Sequence, residues 1–357
     1  MGSIYTTQEA GRRLRDPYLR ELDHWPVSAE LSRVPTREGE TFVLISGCEH
    51  APPLVLLHGS GANATTWRGD VAAWSEHFRV HAVDLVGEPG PSAPSRPDLS
   101  TEASARWLDD VLSGLGLERV ASVRMPLGGW IGLDYAIRRP GRLTRMALGC
   151  PAGVGVQRRW RVLGVGSLML FGRSGRRASA RYLTGLGGPE ERVVLEAVVE
   201  GFAGFRPRTE QSPVFTDAVL RTLTTPVRVT VGERDRMFDS AGTAPRMREH
   251  VPHARVRVLP GAGHAALGQT EPVLEFLRGR VACPARAGHV GRVWVSPWGQ
   301  EVLSRASKPV CWRPLSTRTR PTMPMIQASA SRDPESTFSR QRSRRGRRRS
   351  PKIRWPR

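Results

Sequence analysis

Four short stretches of this chain carry residues that could do chemistry. His58-Gly59-Ser60-Gly61 closes an apolar run, and its glycines let backbone N–H groups come close to a ligand oxygen. "VASVRMPLGGW" (120–130) reads as a strand that turns tightly into a helix. Gly232-Glu233-Arg234-Asp235 ends a third apolar run. Gly261-Ala262-Gly263-His264 ends a fourth, with His264 placed 29 residues after Asp235. A carboxylate that orients an imidazole makes a general base. Taken singly, Asp235 and His264 also read as loop polars, and His58 reads as a turn histidine.

Positioning these groups requires strands whose ends meet. Strands are expected at 40–47, 54–61, 79–87, 119–124, 143–151, 225–235 and 254–264. The run 54–61 lacks polar alternation, as a strand buried on both faces should. Helical spacing marks 7–24, 65–78, 99–117, 127–140 and 271–281, with Ser100 or Thr101 as the N-cap of the third. Strand and helix alternate with short links, which predicts an α/β fold with a mostly parallel, doubly wound sheet. The rhythm breaks at 152–224, where three helical stretches follow one another without a strand.

Taken in order, these stretches resemble the α/β-hydrolase family. Its fold carries a Ser…Asp/Glu…His triad and an oxyanion hole built at an H-G loop and at the residue after the nucleophile. "VDLVGEPGPSAP" (83–94) is similar to the D-x-x-G-x-G-x-S turn of that family. The resemblance covers about residues 40–281. It implies Asp235 as the orienting acid, His264 as the general base, and Ser60 and Leu127 as oxyanion donors within the loop of Gly59 and Gly61. It also implies a helical cap at about 152–224, hydrolysis of a small ester or amide held under that cap, and no cofactor or metal.

One position departs from the family. Its G-x-S-x-G frame reads Arg124-Met125-Pro126-Leu127-Gly128 here. Proline has neither hydroxyl nor thiol, so it forms no acyl-enzyme. Its φ is fixed near −65°, which excludes the strained, positive-φ conformation of an elbow nucleophile. It suits the first turn of a helix instead, and it pushes Met125 toward an extended conformation. Arg124 replaces a small glycine where a guanidinium is not expected to fit. No cysteine or aspartate lies near residue 126 in sequence, and Ser60, Ser92, Ser122 and Asp134 are poor substitutes. The expectation is impaired or lost acyl-enzyme activity. The alternative is a hydrolase or lyase that uses the Asp235–His264 dyad without a serine.

The charge of the chain is concentrated at one end. The net charge is +21 over 357 residues, yet the last 77 residues hold 18 basic and 3 acidic side chains. Residues 282–357 are rich in Arg, Pro and Ser and are expected to be a disordered tail, separate from a 1–281 hydrolase domain. A basic arm on nucleic acid is the functional alternative for that tail. Cys48, Cys150, Cys283 and Cys311 are scattered without C-x-x-C or metal spacing and read as structural thiols. No apolar leader and no run of ~18 apolar residues is present, which points to a cytoplasmic protein without a membrane span.

Overall fold

The computed structural model describes residues 4–157, 164–189 and 191–279. The expected basic tail lies outside the described residues. Eight strands form one sheet: β1 (Ala29–Thr36), β2 (Gly39–Ser46), β3 (Pro53–Leu57), β4 (Arg79–Val83), β5 (Val120–Arg124), β6 (Leu143–Gly149), β7 (Val227–Gly232) and β8 (Arg255–Leu259). Their spatial order is β1-β2-β4-β3-β5-β6-β7-β8. The β1/β2 and β2/β4 pairs are antiparallel, and every pair from β4 to β8 is parallel. This is the α/β-hydrolase fold class expected from the sequence.

Helices cover both faces. One face carries α3 (Ala103–Gly114), α4 (Pro126–Arg138) and α8 (Ser240–His250); Trp107, Leu108, Leu133 and Met247 pack there with Val55 and Val229. The other carries α2 (Val71–Ser75) and α9 (Thr270–Leu277), where Trp67, Trp74 and Phe276 pack on Leu54 and Leu56. Leu54 to Leu57 are fully buried. Each such side chain contributes about 1.5–3 kcal/mol relative to exposure. Helix α1 (Gln8–Asp23) precedes β1 and is capped by Thr7, whose side chain accepts the Ala10 N–H.

Three local expectations change. Strand β1 was not expected: half of its residues are exposed, it carries Pro35, and it is held as an edge strand by its antiparallel register with β2. The helix expected over 65–78 is a 3₁₀ turn (Ala64–Trp67) followed by α2, with Gly69 and Asp70 between them. The N-cap of α3 is Glu102, because Asp98 takes the Ser100 N–H and hydroxyl into a turn of its own. Among the described residues, no helix is long and apolar enough to cross a membrane.

The stretch between β6 and β7 holds a 3₁₀ turn (Ser167–Phe171), α5 (Gly172–Thr184), α6 (Arg192–Gly204) and α7 (Asp217–Arg221). It packs near the carboxyl edge of the sheet. The Ala265 N–H donates to Thr184 O at 3.1 Å. A Cβ on Gly185 would sit 2.6 Å from Gly263 Cα, and one on Gly201 would sit 3.3 Å from Gly61 O. Glycine is therefore what lets these helices approach the two loops that hold His264 and Ser60.

Candidate functional site

The carboxyl ends of β3 to β8 meet at one edge, where open α/β sheets place their sites. His264 follows β8, and its Nδ1 lies 2.9 Å from Asp235 Oδ2 beyond β7. The Asp235 side chain is fully buried. Its Oδ1 accepts the N–H groups of Met237 (2.7 Å) and Phe238 (3.0 Å), and Ser240 Oγ lies 3.4 Å from Oδ2. Burial works against its charge, but the hydrogen bond and charge of His264, with those two N–H donors, outweigh it and lower its pKa. The imidazole stacks on the Phe238 ring at 5.4 Å between centroids. Burial opposes its charge too. Hydrogen bonds and charge from Asp235 and Cys150 win and raise its pKa to about 10. The structure thus brings Asp235 and His264 together.

Cys150 is the residue that sequence reading missed. It stands just past β6, 2% exposed. Its ligating atom and those of His264 and Asp235 all lie within 4.8 Å of one another. The expectation that no cysteine lies near residue 126 holds along the chain and fails in space. Parallel pairing sets Arg124 opposite Leu148, and just beyond it the Ala152 N–H donates to Pro126 O at 3.2 Å, so the turn of Cys150 lies beside residue 126. A sequence signal existed: "LGCPAG" places a thiol at a strand end before a Pro-Ala-Gly turn.

The β5 end has a different character. Met125 is extended, at φ −99° and ψ 174°, and Pro126 is the first residue of α4. The α4 backbone runs tightly against β3: the Gly128 N–H donates to His58 O at 3.2 Å, and a Cβ on Gly128 would overlap Leu57 O. Arg124 was not expected to fit, yet it is fully buried. It fits because Gly132 of α4 has no side chain where the Arg124 Cδ passes. Its Nε donates to Ser122 Oγ at 2.9 Å, while Nη1 and Nη2 have no partner among the described residues. Burial pulls its pKa below the usual arginine range.

The oxyanion-side residues divide. Leu127 opens α4 next to Pro126, and Gly59 faces the proline ring, 3.4 Å from Pro126 Cδ to a Cβ built on it. Among the described residues, the Leu127 N–H finds no acceptor. Ser60 and Gly61 are committed elsewhere. The Gly61 N–H donates to Glu88 Oε2 at 2.7 Å, and the Ser60 hydroxyl donates to the same carboxylate at 3.1 Å. The Gly61 N–H is thus not available to a ligand, because the buried Glu88 takes it. Burial raises the Glu88 pKa to about 7 against those donors. His58 is a turn residue: burial lowers its pKa to about 4, its Nε2 accepts the Leu85 N–H at 2.9 Å, and its Nδ1 faces Gly59 O.

The comparisons fit this geometry. Residues 54–278 match the profile of a family described as the alpha/beta hydrolase family. The carboxylesterase YbfK of Bacillus subtilis is 30% identical over 289 residues, covering 78% of this chain and 97% of that protein. The crystal structure of that carboxylesterase superposes with a TM-score of 0.68 at 29% identity, covering 76% of this chain and all of the other. The naproxen esterase of B. subtilis gives a TM-score of 0.65 at 28% identity, covering 75% of this chain and 98% of that one. The chain belongs to the alpha/beta hydrolase family.

Proposed function

We propose that this chain is an esterase-type member of its family in which no serine acyl-enzyme forms at residue 126, while His264, oriented by Asp235, is kept as the acid–base residue of the site. The observation that carries the reading is the β5 end, where an extended Met125 leads into Pro126 at the start of a regular helix. Such a turn offers no hydroxyl, and its relaxed backbone does not aim a side chain above the sheet. The substrate class follows the relatives, which are named carboxylesterases. The ligand is a small ester under a cap formed by the helices between β6 and β7, whose glycine contacts with the Ser60 and His264 loops support that placement.

The test is labelling of the full chain with a fluorophosphonate, followed by peptide mapping. The expected result is no phosphonylated serine in the wild type, and a label at position 126 in the variant carrying Arg124→Gly with Pro126→Ser. A label on Ser60, Ser92 or Ser122 of the wild type overturns the reading.

A further inference from the structure

We infer that Cys150 is a thiol nucleophile, completed by His264 and Asp235 into a cysteine–histidine–aspartate triad that takes small acyl groups from esters. The inference rests on the reading of His264 as an acid–base residue oriented by Asp235. It adds an attacking atom on the strand next to the one that lacks it.

Two independent geometric observations support it, and the charge of the site agrees with them. The first is juxtaposition: sulfur, imidazole nitrogen and carboxylate oxygen lie within 4.8 Å of one another. Asp235 occupies Nδ1 of His264, which leaves Nε2 for the thiol. The second is the backbone. Cys150 has φ +44°, and only Ala266 shares a positive φ among the described non-glycine residues. The residue before a proline is ordinarily pushed to an extended conformation, and Pro151 follows Cys150. Strain of this kind clusters at sites where a side chain must be aimed. Here it is held by the Cys150 N–H, which donates to Thr230 O at 2.8 Å, and by the Ala152 N–H, which donates to Pro126 O at 3.2 Å. Charge agrees with this geometry: Asp235 holds Nδ1 of His264 and favours its charged form, and an adjacent imidazolium is what activates a thiol for attack.

The same atoms are poorly set for a metal ion. Both Asp235 oxygens already accept from donors, and Nδ1 of His264 is one of them. The thiol and the far imidazole nitrogen are what the cluster still offers.

The step balances without an added co-reactant other than water. With the thiol proton held on His264 Nε2, sulfur adds to the ester carbonyl carbon, and the carbonyl electron pair moves to oxygen. The carbon–oxygen bond to the alcohol breaks as the C=O re-forms, and the departing alkoxide takes the proton from His264 Nε2. Water, deprotonated by His264, then attacks the thioester. The carbon–sulfur bond breaks, the carboxylic acid leaves and the thiol is restored. The Ala152–Pro126 hydrogen bond places this chemistry beside the start of α4, where the Leu127 N–H has no acceptor among the described residues.

The experiment uses the full-length chain and p-nitrophenyl acetate, with quenching and peptide mass mapping. An acetyl group is expected on Cys150, absent in Cys150→Ala. Cys150→Ser, which changes one atom, retains the fold and is expected to lose the adduct. In His264→Gln, acetylation of Cys150 is expected to fall about a hundredfold at about pH 6, where an unassisted thiol is almost wholly protonated. Iodoacetamide alkylation of Cys150 should fall in parallel. Cys150 that stays free of acetyl in the folded wild type, or that reacts equally with and without His264, overturns the inference. Failure here is separable from failure of the serine reading. A fluorophosphonate-silent chain with unreactive Cys150 overturns only the triad, and a phosphonylated serine overturns only the serine reading.

Discussion

The ends of β5 and β6 lie side by side at one edge of the sheet, and each runs into a proline. At β5, Met125 precedes Pro126 in an extended conformation and the chain passes without strain into α4. At β6, Cys150 precedes Pro151 with φ +44°. The first end buries a guanidinium with two nitrogens unpartnered among the described residues, and it presents no nucleophile. The second presents a thiol against an imidazole whose other nitrogen is held by a carboxylate. Strain and reactive side chains are found together at one strand end and are both missing at the other. A strained turn persists only where the surroundings over-determine it. The turn at β6 is so determined, by hydrogen bonds to Thr230 and from Ala152 to Pro126.

The comparison is tested hardest by giving β5 what it lacks. The double change of Arg124→Gly and Pro126→Ser puts a hydroxyl at residue 126 and removes the bulk beneath it. In a Cys150→Ala background, hydrolysis of p-nitrophenyl acetate is expected to rise about a hundredfold or more, in line with what an activated nucleophile contributes. No rise in steady-state turnover, in a variant shown to be folded, would mean that the two strand ends do not differ chiefly in their nucleophile.

The second test uses pH. In the unfolded chain His264 titrates near its ordinary value of about 6.5. In the folded chain it is held protonated to about 10. Folding therefore favours the charged form. The stabilisation is complete below about pH 6.5 and is lost as the pH rises through about 10. Urea unfolding of the wild type and of His264→Gln should diverge most at low pH within the native range and converge in the alkaline range. A difference that is flat with pH would remove the imidazolium from the account.

Arg124 supplies the opposite sign at β5. Among the described residues its buried charge has no counter-ion, so folding disfavours it. Arg124→Leu fills similar space without that cost and is expected to stabilise the chain by about 2 kcal/mol, read as a higher urea midpoint at unchanged slope. A destabilised variant would overturn the reading of the buried guanidinium as a net cost.

Much of this architecture is legible in the sequence because parallel strands buried on both faces read as short apolar runs, of which Leu54 to Leu57 are the example. Strand β1 is not legible. Its side chains alternate weakly, Pro35 interrupts it, and its register comes from β2 and not from its own pattern. The site divides in the same way. Asp235 and His264 stand out because each follows a strand and a glycine turn. Cys150 does not, because its relation to residue 126 is set by strand pairing, which brings together positions 24 apart. Glu88 is hidden for a further reason. An acid in a glycine- and proline-rich turn looks solvated, and only the fold buries it against Ser60 and Gly61.

The smallest expected effect is the most specific to the backbone. Glycine in an ordinary extended or helical position is less stable than alanine by about 0.5–1 kcal/mol, because it loses more chain entropy on folding. At a positive φ the order reverses, since alanine there pays a steric cost of about 1–2 kcal/mol that glycine does not. Cys150→Gly is therefore expected to be more stable than Cys150→Ala by about 1 kcal/mol, both having lost the thiol. At Met125, with φ −99°, the pair should invert, and Met125→Gly should unfold before Met125→Ala. Four urea midpoints decide the matter. The same order at both sites would place the strain elsewhere than at Cys150, and opposite orders would locate it at the β6 end independently of any activity.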